Sequence, residues 1–122
     1  MAPAVRALRG ATTVDADTRD QVTGRVTALL GELLQRNRVE HDDVISVIFT
    51  ATCDITSMFP AEAAREFGLG DVPLLCAREL AVEGSTTLCI RVLVHLSTEL
   101  ARDELRHVYL EGARSLRDDL PG

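Results

Sequence analysis

The sequence predicts an α+β fold of about five strands, one long helix and one short helix, in a single domain over residues 1–122. Three observations lead to this prediction. One long stretch repeats apolar residues at three- and four-residue intervals, which is the period of a helix. Several short stretches are rich in β-branched and other aliphatic residues, as strands are. The length suits one domain, and the chain shows no internal repeat and no low-complexity run.

The first third of the chain predicts a strand followed by the long helix. Residues 5–11 (VRALRGA) are typical of a short strand. Asp17 or Thr18 can cap the helix, and Thr18 and Gln21 have capping-box spacing. The helix is therefore predicted over residues 18–37. Its apolar face comprises Val22, Val26, Leu29, Leu30, Leu33 and Leu34.

The middle of the chain predicts three strands and the short helix. Residues 44–52 (VISVIFTAT) are apolar on both faces, which favours a central strand. Pro60 favours the first turn of a helix and Gly68 its end, so about two turns are predicted between them. The strands that follow are predicted at residues 72–80 and 88–96.

The last predicted strand covers residues 106–113 (RHVYLEGA). A five-stranded sheet that one long helix covers on one face leaves its other face open. The chain is therefore expected to self-associate, so that the open faces close into a barrel-like core. A site at such a seam could take residues from two subunits.

The strand at residues 88–96 carries an arginine among aliphatic residues. Alternation puts Arg91 on one face of this strand. The opposite face is wholly aliphatic and comprises Ile90, Val92, Val94 and Leu96. A buried guanidinium without a partner is costly. Two explanations stay open: an ion pair with a core carboxylate such as Glu79, or an anion-binding site.

Composition argues against several classes of partner. The formal net charge of −6 disfavours nucleic acid and anionic membranes. No apolar stretch approaches the ~20 residues that span a bilayer, and no export signal is apparent, so a cytoplasmic protein is expected. Cys53, Cys76 and Cys89 are odd in number and widely spaced, which favours reduced thiols. Every basic residue among the 13 is arginine, whose planar fork suits carboxylates and phosphates.

Signals for metals and cofactors are absent from the sequence. His41, His95 and His107 have no metal-ligand spacing, and no two cysteines form CxxC. The GLG stretch at residues 68–70 lacks the lysine and helix of a phosphate-binding loop. No cofactor and no metal are therefore expected.

Five stretches together resemble a known family. They are RGATTV (9–14), FPAEAARE (59–66), VPLLCAREL (72–80), CIRVLV (89–94) and RHVYLEGARSLRDDL (106–120). In order and approximate spacing they are similar to the monofunctional chorismate mutases of the small trimeric pseudo-α/β-barrel type. The resemblance implies a homotrimer, a five-stranded mixed sheet on a long helix, and active sites between neighbours. It also implies the Claisen rearrangement of chorismate to prephenate, on the route to phenylalanine and tyrosine, without a cofactor or metal.

The same resemblance implies roles for individual residues. Arg91 matches the arginine that reaches the substrate's ether oxygen and one carboxylate, and Glu79 the carboxylate that accepts a hydrogen bond from the ring hydroxyl. Arg9 and Tyr109 match groups that bind substrate carboxylates. Cys76 matches a neighbour of Glu79 on the same side, which requires that the strand bend, bulge or end between the two. The matched pocket-wall and tail positions are Phe59, Ala61, Arg65, Leu75, Leu116 and Arg117.

Two residues depart from the family pattern, and two other functions stay open. Glu62 stands where the best-known relative has lysine, which puts a negative charge beside the entrance for an anionic ligand. Leu75 stands where a small polar residue is expected. A trimeric imine or enamine deaminase of similar shape also uses an interfacial arginine, and a non-catalytic module that binds a small carboxylate is the other alternative.

Overall fold

A five-stranded sheet forms the centre of the fold in this computed structural model, which describes residues 2–116. The strands are β1 (Ala4–Thr13), β2 (Val44–Ala51), β3 (Leu74–Arg78), β4 (Cys89–Thr98) and β5 (Val108–Tyr109). They lie in the order β3-β2-β4-β1-β5. β4 is antiparallel to β1 and β2, whereas β5 is parallel to β1 and β3 is parallel to β2. The expected five-stranded mixed sheet is confirmed.

One long helix, α1 (Arg19–Arg36), packs against one face of the sheet. It begins where the sequence predicted, because the Thr18 side chain accepts a hydrogen bond from the backbone N–H of Gln21 at 3.1 Å. The capping box is incomplete, since the Gln21 side chain accepts from the backbone N–H of Asp15 instead. The buried face of α1 comprises Val22, Val26, Leu29, Leu30 and Leu33. Leu34 is only partly buried against this core.

β4 buries the face that the alternation predicted. Its core side chains are at most 4% exposed: Ile90, Val92, Val94 and Leu96. The opposite face, which we call the open face, carries Arg91, Leu93 and His95, all half-buried. Two apolar side chains of neighbouring strands on this face, Val5 and Leu75, are largely exposed. Within the described part of the chain, the sheet is therefore filled on one side and partly uncovered on the other.

The short helix α2 (Pro60–Ala64) starts at the predicted proline. A wider helical turn follows over Arg65–Leu69. Within it, Gly68 has a φ of 122°, a backbone conformation that side chains disfavour. The predicted start is confirmed, whereas the regular α-helix ends at Ala64 and the wider turn continues one residue past Gly68.

The fifth strand is much shorter than the predicted 106–113. Upstream of β5, the Asn37 side chain accepts from the N–H of Arg106 at 2.7 Å and donates to its carbonyl oxygen at 2.9 Å. The backbone groups of Arg106 are thus used by an amide on the helix side of the molecule and not by a strand. Downstream, Glu111 adopts a φ of 52° and begins a 3₁₀ turn. The Asn37 contact on one side and the turn at Glu111 on the other therefore limit β5 to two residues.

Candidate active site

A row of paired residues crosses four strands on the open face. Arg91 in β4 pairs with Thr50 in β2 on one side and with Ala11 in β1 on the other. Ala11 in turn pairs with Tyr109 in β5. Directly paired residues share a face, and neighbouring strands are about 4.8 Å apart. Arg91 and Tyr109 therefore lie on the same face, two strands apart.

Arg9 joins this row from the adjacent position on β1. It lies two residues before Ala11, so it belongs to the same face. Its backbone N–H donates to Nδ1 of His107 at 2.9 Å. Arg9, Arg91 and Tyr109 line one hollow of about 320 Å³. The structure thus brings two arginines and the chain's single tyrosine to one concave surface.

Arg91 forms an ion pair with Glu79, and the distance between Nε and Oε1 is 2.6 Å. Thr50 Oγ1 donates to the same carboxylate oxygen at 2.8 Å. The Glu79 side chain is 13% exposed, whereas the Arg91 side chain is 39% exposed. The two terminal nitrogens of Arg91 have no hydrogen-bond partner among residues 2–116. Arg91 is therefore paired at one edge and still presents donors at the other.

Within one chain, Cys76 and Glu79 lie on opposite faces of the sheet. The expected same-side arrangement is therefore wrong for a single chain. Cys76 pairs with the fully buried Phe49 and packs against the core on the helix side. β3 stays regular through Arg78, and the backbone N–H of Glu79 continues its pattern by donating to Ala51 at 3.0 Å. β3 ends at Arg78, between the two positions, but Glu79 still contacts Thr50 on the open face, opposite to Cys76.

A second hollow of about 520 Å³ lies near the start of α2. Phe59 and Cys76 line it, and Phe59 is 68% exposed. Ala61 is buried, whereas Arg65 is exposed. Among the residues lining the first hollow, none of these four appears. Within a single chain the structure therefore separates these predicted pocket-wall residues from Arg91.

The remaining predicted positions that the structure describes do not line the first hollow. Leu75 is on the open face, where it pairs with Ile48 of β2. Leu116 is half-buried at the end of the described chain, and its N–H donates to Ala113 at 3.1 Å. Arg117 lies outside the described residues. Glu62 forms an ion pair with Arg19, so the negative charge at this position has a cationic neighbour.

Two residues of the site were missed by sequence reasoning. Thr50 contacts Glu79 directly, but its only sequence signal is a hydroxyl within an apolar strand. Cys89 lies two residues before Arg91 on the same strand face and is fully buried. Burial raises the pKa of the Cys89 thiol to about 11, although nearby Arg91 acts in the opposite direction. The thiol is therefore neutral near pH 7 and lies near the charges of Arg91 and Glu79.

Hydrogen bonds fix the loop that leads to α2. Asp17, just before α1, accepts from the backbone N–H groups of Thr56 and Ser57 at 2.9 and 3.0 Å. Hydrogen bonds from Ser57 and Thr56 lower the pKa of Asp17 to about 2. The carboxylate thereby attaches the loop before Phe59 to the start of the long helix.

Neither a metal centre nor a membrane span is present in the described residues. Between residues 2 and 116, no cluster of three or more His, Cys, Asp or Glu side chains is arranged to hold a metal ion. In the same range, no helix is both long and apolar enough to cross a membrane.

Residues 5–120 match the family described as chorismate mutase type I. The chain belongs to this family. Chorismate mutase AroH of Thermus thermophilus is 47% identical over 117 residues, which cover 95% of this chain and 96% of that relative. Chorismate mutase AroH of Bacillus subtilis (strain 168) is 39% identical over 117 residues, covering 95% and 92%.

A solved structure from the chorismate mutase family has the same fold. The chorismate mutase from Clostridium thermocellum superposes with a TM-score of 0.87 at 44% sequence identity. The match covers 89% of this chain and 97% of that chain. The resemblance carried by the five sequence stretches is therefore confirmed at the level of the family.

Proposed function

We propose that the chain catalyses the Claisen rearrangement of chorismate to prephenate in the cytoplasm, as a step in phenylalanine and tyrosine biosynthesis. The observation that carries this proposal is the half-paired guanidinium of Arg91 in a chain of the chorismate mutase family. Membership of this family does not favour the imine deaminase or the carboxylate-binding module.

The reaction needs positioning and charge stabilisation. Chorismate is a dianion whose enolpyruvyl group must fold over the ring before one C–O bond breaks and one C–C bond forms. Holding that conformer removes much of the entropic cost of reaching the transition state. Negative charge develops on the ether oxygen as the C–O bond stretches, and preorganised donors stabilise such charge. Guanidinium groups suit both tasks.

Arg91 would donate to the ether oxygen and to one substrate carboxylate through its terminal nitrogens. Because Nε is already bound to Glu79, the guanidinium is oriented before substrate arrives. The hydrogen bond from Thr50 and the ion pair with Arg91 both involve Oε1 of Glu79. Oε2 would then accept a hydrogen bond from the ring hydroxyl.

Arg9 and Tyr109 would bind the substrate carboxylates. Both line the same hollow as Arg91. An arginine fork can form two hydrogen bonds with a carboxylate, and a phenol can donate one more. Together they would hold the folded dianion against the open face.

A homotrimer would complete the site at the seams between subunits. The partly uncovered open face needs a partner. Across such a seam, the second hollow of one subunit would lie against the Arg91 hollow of its neighbour. The residues contributed by the neighbour would be Phe59, Ala61, Arg65, Leu75 and Cys76. Leu116 and Arg117, near the end of the chain, would close over bound substrate.

A direct assay tests the proposed reaction. Purified protein is incubated with chorismate, and both chorismate loss and prephenate formation are followed. The expected result is turnover to prephenate without added metal or cofactor. Tight binding of chorismate without turnover, or turnover of an imine in a parallel assay, would overturn the proposal.

A further inference from the structure

Arg25, on α1, lies beside the end of β1 and the turn that follows β5. Its side chain is 20% exposed. Nη1 donates to the carbonyl oxygen of Thr13 at 2.6 Å, and Nη2 donates to Oδ2 of Asp15 at 3.0 Å. Nη1 also lies 3.7 Å from Oε1 of Glu111. One guanidinium therefore connects the long helix, the end of β1 and the turn after β5.

Thr13 forms a second connection to the same turn. Its Oγ1 accepts a hydrogen bond from the backbone N–H of Gly112 at 2.9 Å. A Cβ atom on Gly112 would lie 2.8 Å from this oxygen, so the turn sits directly against Thr13. Ala113, the next residue, is fully buried. Thr13 thus accepts a hydrogen bond from Arg25 through its carbonyl oxygen and one from the turn through its hydroxyl oxygen.

Tyr109 lies between these fixed points. It pairs with Ala11, two residues before Thr13, and it precedes Glu111 by two residues. Glu111 has a φ of 52°, in the left-handed region that residues other than glycine disfavour. A turn of this kind needs contacts from elsewhere in the fold, and Arg25 and Thr13 supply them. The two-residue strand β5 alone would hold the tyrosine weakly.

We propose that Arg25 is a positioning residue that holds Tyr109 in place by fixing the turn at residues 111–113. Arg25 itself does not line the hollow that holds Arg91 and Tyr109. This inference rests on the proposed function, in which Tyr109 binds a substrate carboxylate. A carboxylate contact acts in the ground state as well as in the transition state, so its loss should affect KM more than kcat.

The test uses the fluorescence of Tyr109 as a direct probe. The chain has one tyrosine and no tryptophan, so tyrosine emission reports this residue alone. Arg25→Met keeps the apolar stem but removes the guanidinium. Arg38→Met is the control, because Arg38 is exposed just beyond the end of α1.

For Arg25→Met we expect stronger quenching of the tyrosine emission by acrylamide, lower emission anisotropy, and a KM for chorismate raised about tenfold with a smaller change in kcat. Arg38→Met should leave all of these unchanged. Arg25→Lys, which keeps the charge but not the fork, should recover part of the loss. If Arg25→Met lowers the melting temperature but leaves quenching, anisotropy and KM unchanged, Arg25 is merely structural and the inference is overturned.

Two further outcomes separate the positioning role from the proposed function. If the tyrosine emission changes and KM does not, Arg25 positions Tyr109 but Tyr109 does not bind substrate. If Arg25→Met does not fold, Glu111→Gln serves in its place, because it removes the charge from the other partner and keeps the size of the side chain. Unchanged emission and unchanged KM in Glu111→Gln would overturn the inference.

Discussion

Glu79 accepts a hydrogen bond from Thr50 and forms an ion pair with Arg91 at the same oxygen. In the proposed mechanism, the second carboxylate oxygen would accept a hydrogen bond from the ring hydroxyl of the substrate. Thr50 acts as a positioning residue in this account, because it orients Glu79 through a hydroxyl on the neighbouring strand. Its donor–acceptor distance of 2.8 Å is normal for a hydroxyl and a carboxylate.

Replacing Thr50 with valine tests this positioning role. Thr50→Val keeps a β-branched side chain of similar shape but removes the donor, and a hydrogen bond to a charged group contributes about 1.5–3 kcal/mol. We expect kcat/KM for chorismate to fall by about tenfold. Thr50→Ser is the control, because it keeps the hydroxyl and should retain most of the activity. Equal losses in both variants would indicate that packing, and not the hydrogen bond, matters here.

Strand alternation predicted much of the residue-level arrangement. It separated Arg91 from the aliphatic face of β4 and showed that Cys76 and Glu79 have opposite parity. It did not decide between an ion pair and an anion site for Arg91, because that requires the register of β2 with both β3 and β4. Pairing of Thr50 with Arg91 on one side and Ala77 on the other brings Glu79 within reach. Register is a non-local property, so no single strand encodes it.

At the scale of elements, α1 packs closely on β1 at Gly10. A Cβ atom at Gly10 would lie 3.0 Å from Cδ1 of Leu33, 3.1 Å from Cδ1 of Leu29 and 3.1 Å from the carbonyl oxygen of Val108. The last of these atoms is backbone of β5. The lack of a side chain at Gly10 therefore allows close packing of α1 on β1 and of β5, which carries Tyr109, beside β1.

A pair of glycine substitutions tests this contact. Gly10→Ala should lower the free energy of unfolding by about 1–3 kcal/mol, because the added methyl overpacks the core. Gly24→Ala is the matched control, since Gly24 lies in the exposed middle of α1 with no atom within 4 Å of the added carbon. It should stabilise the protein by about 0.5–1 kcal/mol through helix propensity. Urea unfolding measures both, and a Gly10→Ala variant as stable as wild type would contradict the packing described.

Asp17 should make stability depend on pH in the acidic range. Hydrogen bonds from Ser57 and Thr56 lower its pKa from 3.8 to about 2, so the folded state binds a proton less readily than the unfolded chain. The stabilisation is complete above about pH 4 and is lost as the pH falls towards about 2. Wild type and Asp17→Asn should therefore differ in urea midpoint near neutral pH and converge at low pH. The control Asp103→Asn changes an exposed aspartate. A difference in urea midpoint between wild type and Asp17→Asn that does not depend on pH would contradict the lowered pKa of Asp17.

Periodicity predicted the elements that depend on burial and missed those that depend on single contacts. The bounds of β1 to β4 agree with the sequence prediction within two residues. The predicted length of β5 was wrong, because the Asn37 amide bonds the backbone of Arg106 and because Glu111 adopts a positive φ. An asparagine at a helix end and a glutamate in a turn give no sequence signal for these two features.

At the scale of the whole molecule, the proposed homotrimer has two measurable consequences. Light scattering should give about three times the 13.3 kDa mass of one chain. Arg91→Ala and Arg65→Ala should each be nearly inactive alone, whereas mixed and reassembled they should recover about one quarter of wild-type activity, because each site would draw these residues from different subunits. Arg91→Ala mixed with Arg9→Ala, both on one face of one chain, is the control and should recover none.

The central claim is that the free edge of Arg91 stabilises charge on the substrate's ether oxygen, and kcat for chorismate in Arg91 variants tests it most directly. Arg91→Ala and Arg91→Lys should both lose at least about 100-fold in kcat, because lysine keeps the charge but not the fork fixed by Glu79. Circular dichroism should show both variants folded. A folded Arg91→Ala variant with kcat near wild type would contradict the account.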